Sequence, residues 1–119
     1  MNINGVNYGL RMTVGAEVEI SKICPNGDIS RLGEVVTGAF NETVDAIAHI
    51  IVAMSNGYEK QKAYRDRTYT ANPVTFDEVR NYIEVLEQDE FAKMQEELKV
   101  AMDEGMKPSI DAEPVKKKK

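Results

Sequence analysis

Tryptophan is absent from this chain, and cysteine and histidine occur once each, as Cys24 and His49. One cysteine cannot close an internal disulfide, so nothing in the sequence points to an oxidising compartment. One histidine cannot complete a typical zinc ligand set. Long hydrophobic runs are lacking too. The longest, Ala46–Met54 (AIAHIIVAM), falls far short of the roughly 20 residues that a bilayer crossing needs. The start, MNINGVNYGLRM, has no long apolar stretch after a basic opening, so no secretory signal is expected. Basic residues are fewer than acidic ones, 15 Lys+Arg against 20 Asp+Glu, for a net charge of −5. Four of those bases are the terminal Lys116–Lys119; without them 11 stand against 20, which leaves the body at about −9. Such a body repels phosphate backbones and argues against nucleic-acid binding. With no membrane segment either, the expectation is a soluble, intracellular protein.

What is present is an ordinary globular balance, 42% hydrophobic and 29% charged, over 119 residues. That length suits one domain around one core. Asn4-Gly5 is a favoured pair for a two-residue hairpin turn, and Met1–Ile3 and Val6–Met12 are predicted to form its arms. Leu10, Met12, Val14, Ala16, Val18 and Ile20 then alternate as in a strand. Ala16, Ile20, Ile23 and Cys24 equally fit one helical face, with Glu17 and Glu19 near a helix start. Pro25-Asn26-Gly27 breaks the chain, and Asp28 is a suitable N-cap for a short helix through Ile29, Leu32, Val35 and Val36 that stops at Gly38.

The strongest helix is predicted over Glu42–Asn56, capped by Asn41 and ended by Gly57. Val44, Ile47, Ala48, Ile51 and Met54 make its stripe, which Ala46, Ile50, Val52 and Ala53 widen almost all the way round. A helix so apolar belongs at the centre of the core. Tyr58–Thr70 changes character, with three tyrosines interleaved with Lys60, Lys62, Arg65 and Arg67. Thr75-Phe76-Asp77-Glu78 reads as a capping box opening a helix with Phe76, Val79, Ile83 and Leu86 on one face. Asp89 is the expected cap of a last helix carrying Phe91, Met94, Leu98, Ala101 and Met102, ended by Gly105. The prediction is a mainly α protein (α+β): a small N-terminal β-hairpin, a compact bundle of about four to five helices over 1–107, and a flexible, disordered lysine-terminated tail over 108–119.

Catalytic chemistry has little to work with. Asp45 and His49 share a helical face and form the one candidate base pair, but a structural histidine on a core helix fits better. Cys24 reads as a small buried hydrophobe. Ten acids and three bases lie between Asp77 and Glu104, without the alternating ligands of a calcium loop, and read as solvated helix faces. No cofactor and no metal are expected. Tyrosine and arginine are favoured at protein interfaces, and methionine on adaptable ones. The candidate partner-binding residues are therefore Tyr58, Tyr64, Arg65 and Tyr69, together with Met94, Leu98 and Met102 of the last helix.

The succession INGVNYGLRMTVGAEVEI, apolar central helix, YEKQKAY and late acidic helical pair resembles the tail assembly chaperones of long-tailed phages and prophages, especially those of Gram-positive hosts. The likeness runs over roughly Ile3 to Leu98 and is one of residue classes and lengths. In that family the ING-type hairpin leads into a helix near a Gly-Ala pair, matched here by Gly15-Ala16. This is the ground for expecting helix over Val14–Cys24. The resemblance implies no active site. It implies a protein of the host cytoplasm that binds the long, hydrophobic tape measure protein and is absent from the mature virion. It also implies a longer form, made by a ribosomal slip, that recruits tail tube protein. Lys116–Lys119 require an adenine-rich message and would suit such a slip; a solubilising tail is the plain alternative. Self-association into a homo-oligomer is compatible with this reading. Two other classes compete: a structural head–tail connector or tail-completion protein retained in the virion, and a small metal-independent hydrolase built on Asp45 and His49.

Overall fold

A computed structural model describes residues 1–105. Strands β1 (Asn2–Ile3) and β2 (Val6–Asn7) pair antiparallel, with Asn2 opposite Asn7 and Ile3 opposite Val6. Asn4 and Gly5 form the turn at φ 55° and 84°, the left-handed geometry that this pair tolerates. The arms are shorter than predicted: Tyr8 still exchanges hydrogen bonds with Met1, at 2.7 Å and 2.6 Å, and beyond it the chain leaves the hairpin as a strap that runs to α1. Helices α1 (Val14–Ser21) and α2 (Leu32–Val35) follow, separated by 3₁₀ turns at Pro25–Gly27 and Ile29–Arg31. Then come α3 (Phe40–Arg65), α4 (Phe76–Glu84) and α5 (Gln88–Gly105). The mainly α architecture with an N-terminal hairpin agrees with the expectation. The predicted tail over 108–119 lies outside the described residues. Among the described residues no helix is long and apolar enough to cross a membrane.

The stretch with two competing periods is helical. Thr13 caps α1, its hydroxyl accepting from the Ala16 N–H at 3.1 Å. Ala16 and Ile20 face inward, one helical turn apart, while Val14 and Val18 are exposed at 79% and 50%. Two of the alternating residues thus point to solvent, so the alternation did not describe a buried face. The helix stops at Ser21, short of the predicted Cys24.

The central helix is 26 residues long and about 39 Å by its rise, close to the longest dimension of the molecule, 44 Å. It differs from the prediction at both ends. Ala39, not Asn41, holds the N-cap position, without a side-chain bond. Nor does Gly57 end the helix. It lies inside α3, where a Cβ would come within 2.8 Å of the Thr13 hydroxyl and 3.0 Å of the Arg11 carbonyl. The strap crosses the helix at this notch, fixed by a 3.1 Å bond from the Arg11 N–H to the Met54 carbonyl. Side-chain size at the crossing point explains the glycine better than helix termination does.

Ile20, Ile50, Ile51, Met54 and Val79 are the large apolar side chains with essentially no exposure. They place the core around the middle of α3, between α1 and α4. Asp28 does cap, but it caps the second 3₁₀ turn, accepting from the Ser30 N–H at 3.0 Å and the Ser30 hydroxyl at 2.7 Å. The helix after it, α2, is a single turn. The capping box of α4 is present in both directions, Glu78 N–H to Thr75 Oγ1 at 3.2 Å and Thr75 N–H to Glu78 Oε1 at 2.8 Å. At α5 the helix begins at Gln88, with Asp89 already in its first turn. The Glu90 carboxylate closes this start by accepting from the Glu87 N–H at 2.8 Å.

Candidate partner-binding groove

The two groups of predicted interface residues occupy separate places. Tyr58, Tyr64 and Arg65 ride on the C-terminal third of α3, and Tyr69 lies on the loop beyond it. Met94, Leu98 and Met102 lie along α5.

Tyr58 is half-buried under the strap. Its ring packs against Gly9, where a Cβ would stand 2.6 Å from ring carbons, and Arg11 and Lys62 flank it at 5.9 Å and 6.0 Å. Tyr69 is tied down: its hydroxyl donates to Glu59 Oε1 at 2.6 Å, and Lys62 sits 4.2 Å above its ring. That bond to the Glu59 carboxylate, then burial, then the Glu59 charge and Tyr58 hold the Tyr69 phenol above its ordinary range. Both tyrosines therefore have structural partners. Tyr64, 88% exposed, and the exposed Arg65 remain open.

On α5, Met94 is 6% exposed and belongs to the core. Leu98 and Met102, four residues apart on one face, line an apolar groove of about 310 Å³. Leu32 and Val36 form the opposite wall from α2 and its end, also one turn apart, and Ile47 and Ile50 of α3 supply the floor. Ile47, Ile50 and Leu98 are at most 4% exposed, so the surface a partner meets is made by the half-buried Leu32, Val36 and Met102. Gln95, Lys99 and Asp103 border it from α5. Sequence reasoning missed Leu32, Val36, Ile47 and Ile50 as groove residues. The signal for two of them was the one-turn spacing of Leu32 and Val36.

A second apolar feature lies at the N-terminus of α3. Phe40, 73% exposed, meets Phe91 edge-on with ring centroids 6.2 Å apart and planes at 85°. Val85, 76% exposed after the end of α4, belongs elsewhere, to a cleft shared with Val6 and Tyr8 of the N-terminal segment.

Asp45 and His49 do not form a pair. Asp45 accepts from Arg80 Nε at 2.6 Å, and Arg80 also reaches Glu84 at 2.7 Å, tying α3 to α4. His49 stacks on Phe76 with centroids 4.3 Å apart. Cys24 is buried, its thiol pointing at the Ile20 carbonyl at 3.4 Å; burial, and then the Asp28 charge, push that thiol up from its usual value. Among the described residues no cluster of three or more histidine, cysteine or acidic side chains has the arrangement to hold a metal ion. Comparison with protein families, with characterised proteins and with solved structures gives no match.

Proposed function

We propose that this protein is an assembly chaperone of the phage tail type, and that it shelters an amphipathic helix of the tape measure protein until the tail tube forms. The observation that carries the reading is the groove between α2, α3 and α5. Its apolar floor and walls are complete, and Leu32, Val36 and Met102 stand half-open to solvent. A helix laid there would bury residues at one-turn spacing against Leu98–Met102 on one side and Leu32–Val36 on the other, the helix-in-groove mode of recognition. The many carboxylates of α4 and α5 would keep the loaded complex soluble. The groove is small, which fits a cover that must come off again. A longer, slipped product recruiting tail tube protein belongs to the same proposal.

The test is co-expression with a long coiled-coil tape measure protein, which this reading expects the neighbouring gene to encode. The partner is expected in the soluble fraction only when the present chain accompanies it. Val36→Asp and Met102→Asp, both at half-buried positions, should leave the fold intact and return the partner to the pellet. Solubility unaffected by either change would remove the groove from the reading. Finding the chain in purified particles by mass spectrometry would favour a retained tail-completion component.

A further inference from the structure

A second cleft, of about 530 Å³, opens on the other side of α3, between that helix, α1 and the loop before α4. Its size is within the range of small-ligand sites, about 300–1,000 Å³. We propose that it binds a primary ammonium group carried on an alkyl chain, with the Glu59 carboxylate as counter-charge. Glu59 lines the cleft and is 5% exposed. Buried carboxylates in folded proteins are ordinarily paired with a cation. Here Oε1 accepts from the Tyr69 hydroxyl at 2.6 Å and the Asn72 N–H at 2.7 Å, both neutral donors. Among the described residues Oε2 accepts no hydrogen bond, and no ion pair includes Glu59.

The rest of the cleft suits the same ligand. Ala16, Val52, Ala53, Ala71 and Pro73 give it narrow apolar walls that fit a methylene chain. Glu19 adds a second carboxylate, held in its charged form chiefly by the 2.8 Å bond from Lys22. Lys60 is the one lysine on the lining and is exposed. Lys22 already neutralises Glu19, so Glu59 is the carboxylate of the lining without an ion pair among the described residues, and beside it a cation is preferred over an anion or a neutral alcohol. A free alkyl amine and a lysine side chain present the same group, and this chain's own Lys116–Lys119 are one such source.

The test is a titration of the full chain with cadaverine, followed through backbone amide NMR shifts, with pentanol as the uncharged control. Saturable shifts at Ala16, Glu59 and Asn72 are expected from the diamine and not from the alcohol. Glu59→Gln keeps an oxygen for Tyr69 and Asn72, so it should fold, yet weaken binding by about tenfold or more. Lys60→Gln, which removes the like charge, should tighten it. The full chain with Lys116–Lys119 all replaced by glutamine separates the two sources. A response that appears only in that variant identifies the protein's own lysines as occupants; a response already present in the native chain identifies a free amine. Silence in both proteins, or undiminished binding by Glu59→Gln, overturns the proposal. Should Glu59→Gln fail to fold, Ala71→Leu narrows the cleft without altering charge, and unchanged binding there overturns it equally.

Discussion

The two flanks of α3 are held by different physics. On the flank facing the loop, side chains of the helix bind the backbone directionally. Asn56 donates to the Val74 carbonyl at 3.1 Å and accepts from the Val74 N–H at 3.0 Å, and Glu59, one turn on, takes the Asn72 N–H and the Tyr69 hydroxyl. On the flank facing α5 the attachment is mainly apolar, through Phe91, Met94 and Leu98. Hydrogen bonds to the backbone fix one arrangement, since each fails once the geometry shifts. Apolar contact is non-directional and tolerates sliding and repacking. Under the proposed function, accepting and releasing a guest helix would benefit from having the second kind of attachment beside the groove and the first kind elsewhere.

The largest effect that would sharpen this contrast is Leu98→Ala. It removes a nearly buried side chain and should cost about 2–4 kcal/mol, measured by urea unfolding. Hydrogen exchange should rise first along α5, while the amides of Asn72 and Val74 keep their protection. Asn56→Ala should cost less, about 1–3 kcal/mol, because it strands the N–H and carbonyl of Val74 without opening the core. Its exchange signature should be the reverse, a loosened loop and an unchanged α5. Matching patterns for the two variants would break the comparison.

The smallest effect is with pH. The Tyr69 phenol in the folded protein titrates above its ordinary value, chiefly because it donates to Glu59. Its contribution is therefore whole below the ordinary tyrosine pKa of about 10 and is lost as pH rises through the higher folded value. Loop amides should loosen on that alkaline side, and Tyr69→Phe should abolish the step while α5 exchange stays as it was.

Features decided by neighbours in sequence were legible in advance. The Asn4-Gly5 turn, the Thr75–Glu78 capping box and the inward Phe91, Met94 and Leu98 all follow from local spacing. Contacts between distant segments were not. Gly57 follows an apolar stretch and so reads as a stop, yet its reason is the approach of Arg11 and Thr13 from another part of the chain. Tyr58 and Tyr69 looked like interface residues because composition cannot say that Gly9 covers one ring and Glu59 holds the other hydroxyl. The groove was half-visible. Leu98 and Met102 carried the signal of a helical face, and so did Leu32 and Val36, but nothing local says that the two faces meet across α3.

The crossing at Gly57 also sets an order of events during synthesis. Residues 8–13 leave the ribosome well before the helix that gives them a seat, and the Met54 carbonyl that receives Arg11 is unmade when Arg11 emerges. Until then that nascent stretch has no surface to lie on, and its apolar Leu10 and Met12 are free to find other company.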